Sequence, residues 1–453
     1  MDMSAMTEHI DLSSGWPNPA LLPANLLRTS ATEALSNPSV KDTALHYGAD
    51  EGYDSLRTHI AEWLSTFYQP CAPVTAPRVC ITGGASQNLA CVLQVFTDPI
   101  YTRNVWMVAP TYFLAARILD DAGFAGRLRG IPEDDEGIDL EFLEKGLQAA
   151  EATAQQDGNT HPVGHDPRVD LTVKLKPARP WRKIYKHVIY AVPTFANPSG
   201  KIMSLRRREG LVRIARRYDA LILTDDVYDF LQWSPTPGGP FPDRACVPRI
   251  VDVDRYLDGG PVDEWGHAIS NGSFSKLIGP GVRTGWAEAS DKLAYGLSQT
   301  GSSRSGGAPS HLTAAIIDQL FPTEITAHLQ NQLIPSYASQ YHTLVSAIHE
   351  YLVPLGVTAY PPGAVSGGYF IWLKLPEGLN ASQVAEQAQE AKVRVASGVA
   401  FQVPDDPSDT PAVFGDHIRL CFAWESSRHL TEGVRRLARV LERMKNGTVT
   451  RTQ

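Results

Sequence analysis

Apolar positions recur along this chain at two alternating periods. In EGYDSLRTHIAEWLSTFY, residues 51–68, Leu56, Ile60, Leu64 and Phe67 fall on one face of a helix, which predicts an amphipathic helix. RVCITGG then reads as a short apolar strand ending in glycines, and ASQNLACVLQVF as a buried helix. NVWMVAP has the length and composition of a buried parallel strand. HVIYAVP, LRRREGLVRIARRY and ALILTDD repeat the order strand, helix, strand. Strands alternating with helices predict an α/β fold: a mainly parallel sheet in a three-layer α/β/α domain.

After about residue 310 the pattern changes. A long helical region runs to about Tyr351, with a proline interruption expected at Pro335. PPGAVSGGYFIWLKLP reads as a turn and strand, SQVAEQAQEAK as a helix, DHIRLCFAW as a strand and SSRHLTEGVRRLARVLERMK as an amphipathic helix. Fewer strands and longer helices predict a smaller α+β domain. The expected division is residues 1–42 as an N-terminal arm joined to the small domain, 43–310 as the large domain and 311–453 as the small one. Residues 148–180 and 234–248 are polar or rich in Pro and Gly, and read as surface insertions. His161 and His165 in the first insertion have no further ligands nearby, so no metal site is expected.

Composition narrows the function. The 453 residues are too many for one small core. The formal net charge of −8 argues against nucleic acid as a partner, since phosphate backbones demand a basic surface. Cys71, Cys80, Cys91, Cys246 and Cys421 lack metal or disulfide spacing and read as reduced thiols of a cytoplasmic protein. The start of the chain carries no signal-peptide core, and no apolar run is long enough to span a membrane. Asn-x-Ser/Thr triplets at Asn271, Asn380 and Asn446 read as chance occurrences.

Several short stretches carry possible chemistry. TGGASQN, residues 82–88, is a glycine turn between a strand and a helix, whose exposed N–H groups suit a phosphate; alone it is equally a tight turn. PTFANPSG presents Asn197 just after a strand, at the edge where open α/β sheets bind ligands, though Asn-Pro and Ser-Gly also make plain turns. LILTDDVYDF ends an apolar strand with Asp225 and Asp226. A buried carboxylate there needs a cationic partner, unless one of the two simply caps a helix. SNGSFSKLIGPGVRTGW sets Lys276 between serines and a Gly-Pro-Gly turn. A desolvated lysine becomes a nucleophilic amine, and Arg283 supplies a fixed positive fork. IRLCFAW buries Arg419 in a strand, where a bidentate carboxylate partner is the usual reason for an arginine.

The order of these stretches is more specific than any one of them. Glycine turn, PTYF, NPSG, DDVY, SFSK with Arg283, and the late Arg419 together resemble the fold-type I pyridoxal-phosphate enzymes of the class I/II aminotransferase family. The resemblance runs from IDLSSGWP to the final helix, includes HYGADEGYDSLR at 46–57, and is nearest to the 2-aminoadipate and aromatic aminotransferases. It implies pyridoxal 5′-phosphate attached to Lys276, which also moves the substrate Cα proton. It implies Asp225 against the pyridine nitrogen, Tyr228 and Asn197 on the phenolate oxygen, and Tyr112 on the ring face. Gly84, Ala85 and Ser86, with Ser273 and Arg283, would hold the phosphate. Tyr47 would reach the phosphate of a second subunit in a homodimer. Arg419 would clamp the substrate α-carboxylate, beside Asn197, Gly15 and Trp16. Ala85 stands where the family often has serine, and Gly15-Trp16 where it has two glycines, so Trp16 would line the pocket.

The resemblance implies transfer of an amino group from an L-amino acid, aromatic or long-chain, to a 2-oxo acid such as 2-oxoglutarate. Elimination, cyclisation or decarboxylation on the same cofactor are alternatives, because the same contacts serve them all. A non-catalytic regulator is disfavoured by the intact Lys276. A dinucleotide-dependent dehydrogenase is disfavoured by the absence of GxGxxG and its following acid.

Overall fold

The computed structural model describes residues 8–156, 175–360 and 363–449. Its main sheet is built from β1 (Val79–Thr82), β2 (Asn104–Ala109), β3 (Leu128–Asp134), β4 (Gly137–Ile138), β5 (His187–Ala191), β6 (Ala220–Asp225), β7 (Ala268–Ser273) and β8 (Gly285–Glu288). The spatial order is β1-β8-β7-β6-β5-β2-β3-β4. Strands β7, β6, β5, β2 and β3 run parallel, β8 is antiparallel to both its neighbours, and β4 is antiparallel to β3.

The central strands read as unbroken apolar runs because both faces are covered. On β5 and β6, Val188, Tyr190, Leu221 and Leu223 pack on one face, into a core that includes Leu89 and Phe96 of the Ala85–Phe96 helix. Ile189, Ala191, Ala220 and Ile222 pack on the other, with Leu211 and Ile214 of the Leu205–Tyr218 helix. The α/β/α layering read from the sequence is the observed one.

The second sheet is antiparallel: β9 (Thr358–Ala359), β10 (Phe370–Lys374), β11 (Ala396–Ser397) and β12 (His417–Cys421), in the order β9-β10-β12-β11. The Asp54–Tyr68 helix contributes Leu56, Ile60 and Leu64 to a core shared with Leu373 of β10 and Leu430 of the Ser427–Val449 helix. Near the start of the chain, Ile10–Asp11 pairs in parallel with Val393–Arg394.

One expectation is sharpened and one corrected. Helical backbone runs on through Pro335: the Thr323–His328 helix passes through a widened π-helical turn, Leu329–Leu333, into the Ile334–Tyr351 helix, so the disturbance falls in the turn just before the proline, and a full break falls earlier, between the His311–Asp318 and Thr323–His328 helices. Residues 148–156 are not loop but the end of the Leu140–Gln156 helix, whose polar residues are good helix formers and whose Leu143 and Leu147 are buried. His161 and His165 lie outside the described residues. The 234–248 segment lies between strand Gln232–Trp233 and helix Ile250–Tyr256, without helix or strand of its own. All five cysteines are free thiols. Asn271 is fully buried, which removes it as a glycosylation site. Among the described residues no helix is long and apolar enough to cross a membrane, and no cluster of three metal-ligating side chains occurs.

Candidate active site

The C-terminal ends of β5, β6 and β7, the loop after β2 and the helix after β1 converge on one cavity of about 620 Å³. That is the edge where parallel α/β sheets bind ligands. Ala85, Ser86, Tyr112, Asn197, Asp225, Tyr228, Ser273, Lys276, Arg283, Arg419, Gly15 and Trp16 all line it. Residues far apart in the sequence are thus gathered as expected. Gly84 stands directly behind the wall as the N-cap of the Ala85–Phe96 helix. Tyr47 is not in the cavity; in the single chain it is 88% exposed.

Asp225 ends β6 and is buried. Tyr190 donates to its Oδ2 at 2.7 Å and Asn271 Nδ2 to its Oδ1 at 2.7 Å. The parallel register pairs Asp225 with Asn271, which explains the second contact. Asn271 also donates to the Ala85 carbonyl at 3.0 Å and accepts from Asn88 at 2.8 Å, so it ties the acid to the helix N-terminus. Burial pushes the Asp225 carboxyl up to about 6 against these hydrogen bonds, and the charge of Asp226 pushes the same way. Neither aspartate caps a helix. Asp226 is held below the site by Thr224 at 2.8 Å and Ser270 at 2.5 Å.

Lys276 follows β7 in a short 3₁₀ turn begun by Ser273. Burial drives its ammonium down to about 8, and the nearby Arg419 adds to the effect. Its Nζ donates to the Gly15 carbonyl at 2.8 Å. Tyr228 is buried nearby, its phenol raised by desolvation. Tyr112 is pushed up to about 12 by burial and by the charge of Asp225.

At one end of the cavity, Ser273 and Ser275 hydroxyls lie 2.9 Å apart beside Arg283. Arg283 donates to the Pro280 and Gly83 carbonyls at 3.0 and 2.9 Å, the Gly-Pro-Gly turn having brought it back as expected. No side chain caps the Ala85–Phe96 helix, so its first-turn N–H groups face this end. Gly84 has φ +93°, and a Cβ there would lie 2.9 Å from Arg283 Nη2. At the other end, Arg419 lies over the rings of Phe370 and Phe401 at 4.0 and 4.7 Å. It donates to Asn197 Oδ1 at 2.7 Å and to the Ser13 carbonyl at 2.5 Å, while its buried Nε has no partner among the described residues.

The donor set fits pyridoxal phosphate. An uncapped helix end, two hydroxyls and an arginine suit a dianion. A buried acid lacking a close cation suits a protonated ring nitrogen, and a lysine of lowered pKa suits covalent attachment. Sequence reasoning does not single out Tyr190, Asn271 and Asn88. Each sits inside a strand or helix where it passes for filler, and only the pairing of β6 with β5 and β7 reveals the contacts.

The family model for aminotransferases of class I and II matches residues 8–437. An uncharacterized protein of Saccharomyces cerevisiae is 34% identical over 417 residues, 88% of this chain and 90% of its own. Aromatic-amino-acid aminotransferase 1 of Thermococcus litoralis is 27% identical over 441 residues, 96% of this chain and 88% of its own. Among solved structures, the kynurenine aminotransferase of Pyrococcus horikoshii, in complex with PMP, matches with a TM-score of 0.73 at 26% identity, covering 96% of this chain and 91% of the other. The chain therefore belongs to the class I and II aminotransferases, fold-type I transferases that work with pyridoxal 5′-phosphate.

Proposed function

We propose that the protein moves the amino group of an L-amino acid with an aromatic or long side chain to a 2-oxo acid such as 2-oxoglutarate. The observation that carries this is the position of Lys276, Asp225 and Arg419 around one cavity, with Asn197 bridging to Arg419. The aromatic assignment draws on the names of the Thermococcus and Pyrococcus relatives and on the aromatic wall of Trp16, Phe113 and Phe401.

Ser86, Ser273, Arg283 and the backbone at Gly84 and Ala85 would hold the cofactor phosphate. Asp225 would face the ring nitrogen, Asn197 and Tyr228 the phenolate oxygen, and Tyr112 the ring face. When bound, the cofactor supplies an electron sink for the charge left at the substrate Cα. Lys276 carries the proton from Cα, which an amine near pKa 8 does efficiently at neutral pH. Arg419 gives one N–H of each Nη to Asn197 and Ser13 and keeps the second N–H of each for the α-carboxylate, which would fix which Cα bond faces Lys276. The Arg419 contact takes the carbonyl end of Asn197 and leaves Nδ2 as a donor toward the cavity.

We assign residues 43–310 to the cofactor domain, and residues 1–42 and 311–453 to the arm and small domain. The exposed Tyr47 supports a homodimer in which it serves the partner's phosphate. A cytoplasmic location agrees with the free thiols. The decisive test is to mix purified protein with a panel of amino acids and 2-oxo acids. Amino transfer by the wild type and none by Lys276→Ala is the expected result. Ammonia or carbon dioxide release without a new amino acid would overturn the reading.

A further inference from the structure

The backbone carbonyl of Lys276 is hard to satisfy within its own turn. Gly279 gives its N–H to the Phe274 carbonyl at 3.2 Å, and Pro280 has no N–H to give. Among the described residues the partner of the Lys276 carbonyl is a side chain: the Tyr369 hydroxyl donates to it at 3.3 Å. That hydroxyl also lies 3.1 Å from the hydroxyl of Tyr337. One proton cannot serve both, and a carbonyl can only accept. The Tyr369 proton therefore goes to Lys276, which leaves the Tyr369 oxygen to accept from Tyr337.

Both phenols are fully buried, where a hydroxyl without a partner is costly. The ring of Tyr369 meets the other end of the same lysine: Lys276 Nζ lies 5.2 Å from its centroid and 5.8 Å from that of Tyr228. Tyr337, from the Ile334–Tyr351 helix, packs on Tyr369 with ring centroids 5.1 Å apart. The main chain pins Tyr369 as well. Its carbonyl accepts from the Phe422 N–H at 3.0 Å, and Gly368 before it, at φ +70°, donates to the Leu231 carbonyl at 3.0 Å. Phe370, the next residue, lies under the Arg419 guanidinium. Two successive residues thus touch Lys276 and Arg419, yet Tyr369 stands behind the cavity wall rather than in it.

We propose that Tyr369, held by Tyr337, is a positioning residue for Lys276: it anchors the backbone and the stem of the lysine so that the amine meets the substrate Cα proton at a set distance and angle. The inference rests on the aminotransferase reading. A lysine stem has four flexible carbons, and proton transfer weakens steeply when donor and acceptor are misaligned. A hydrogen bond at the carbonyl and a ring against the amine restrain that stem at both ends. Because Tyr369 does not line the cavity, it reaches the substrate only through Lys276.

The test compares the full-length wild type with Tyr369→Phe, Tyr337→Phe and the double variant. In cofactor-free protein, Tyr369→Phe is expected to speed backbone hydrogen–deuterium exchange of the 274–283 segment several-fold, read by mass spectrometry, and to leave the Leu205–Tyr218 helix as in the wild type. In the holoenzymes it should lower kcat roughly tenfold, with KM for the amino donor within about twofold. The isotope effect on kcat for a donor deuterated at Cα should rise, because a misplaced amine slows the proton transfer itself; a mere loss of folded protein leaves that ratio alone. Tyr337→Phe should act the same way more weakly, and the double variant no more strongly than Tyr369→Phe, since Tyr337 works through Tyr369. If Tyr369→Phe does not fold, Tyr337→Phe carries the same readouts with Tyr369 in place. Unchanged exchange of the 274–283 segment, a rate loss without a rise in the isotope effect, a loss confined to KM, or additive variants would each overturn the assignment. A wild type that transfers no amino group would instead sink the reading beneath it, and the exchange result would still stand.

Discussion

Arg419 Nη1 donates to Asn197 Oδ1 across 2.7 Å, joining the arginine of the late strand to the amide of the NPSG turn. In the proposed reading Asn197 meets the cofactor's phenolate oxygen, so this contact would couple substrate binding to it, with Arg419 setting which end of the Asn197 amide faces the cavity. Arg419→Ala should therefore do two things. It should lower kcat/KM for donor and acceptor alike by roughly 10²–10³-fold, the usual penalty for removing one member of a buried charged pair. It should also shift the pH at which the bound cofactor's visible spectrum titrates, as Asn197→Ala should do directly. A pure rise in KM with an unmoved spectral titration would break the coupling.

Lys276 should react with amine reagents at lower pH than an exposed lysine does. Its amine is held near 8 by burial, against 10.5 for an ordinary lysine. In protein stripped of cofactor, labelling of the Lys276 peptide, read by mass spectrometry, should reach half its maximum rate near pH 8. Surface lysines such as Lys145, which pairs with Glu141, should lag well behind. Labelling of Lys276 only in step with Lys145 would contradict a desolvated amine.

Asp225 should weaken the cofactor-free fold while serving the loaded one. Its carboxyl titrates near 6 in the folded chain and near 3.8 when unfolded. Between those values the folded state binds more protons, so stability falls as pH rises through the window, and the full penalty persists above it. Asp225→Asn removes that penalty. The variant apoprotein should be more stable to urea at pH 7.5, by on the order of 2–3 kcal/mol, with the advantage fading below about pH 4. Amino transfer should fall by orders of magnitude at the same time. A variant less stable than wild type at pH 7.5 would rule the mechanism out.

Gly84 is required by backbone geometry. At φ +93° a side chain is strained wherever its atoms go, by roughly 1–2 kcal/mol. Gly84→Ala should fold, with cofactor affinity reduced about tenfold in a spectral titration. Unchanged affinity would show that this turn does not form the phosphate cradle.

The groups with costly charges are legible in the amino-acid sequence itself. Lys276, Asp225, Arg283 and Arg419 each stand in an apolar or turn context that needs a reason, and their order along the chain supplies it. The Ala85–Phe96 and Leu205–Tyr218 helices are legible to the residue, because each is bounded by glycine or serine and carries a periodic apolar face. Uncharged polar groups leave no such trace. Tyr190 in HVIYA is a good strand former, and only the neighbouring β6 shows that its hydroxyl meets Asp225. Pro335 announces a disturbance in a helical pattern, and the widened turn Leu329–Leu333 lies just before it, but the sequence does not say that the helix runs on through it.

The hydrogen bonds at the reaction centre also bear on how the enzyme comes into being. Ser13 meets Arg419 across 406 positions. A contact of such separation closes only after nearly the whole chain has left the ribosome, and it forms late because long loops must be ordered first. The main sheet, complete by Glu288, precedes it. A growing chain thus assembles its scaffold early and its chemistry last, so partly made copies carry the lysine without the means to position a substrate on it.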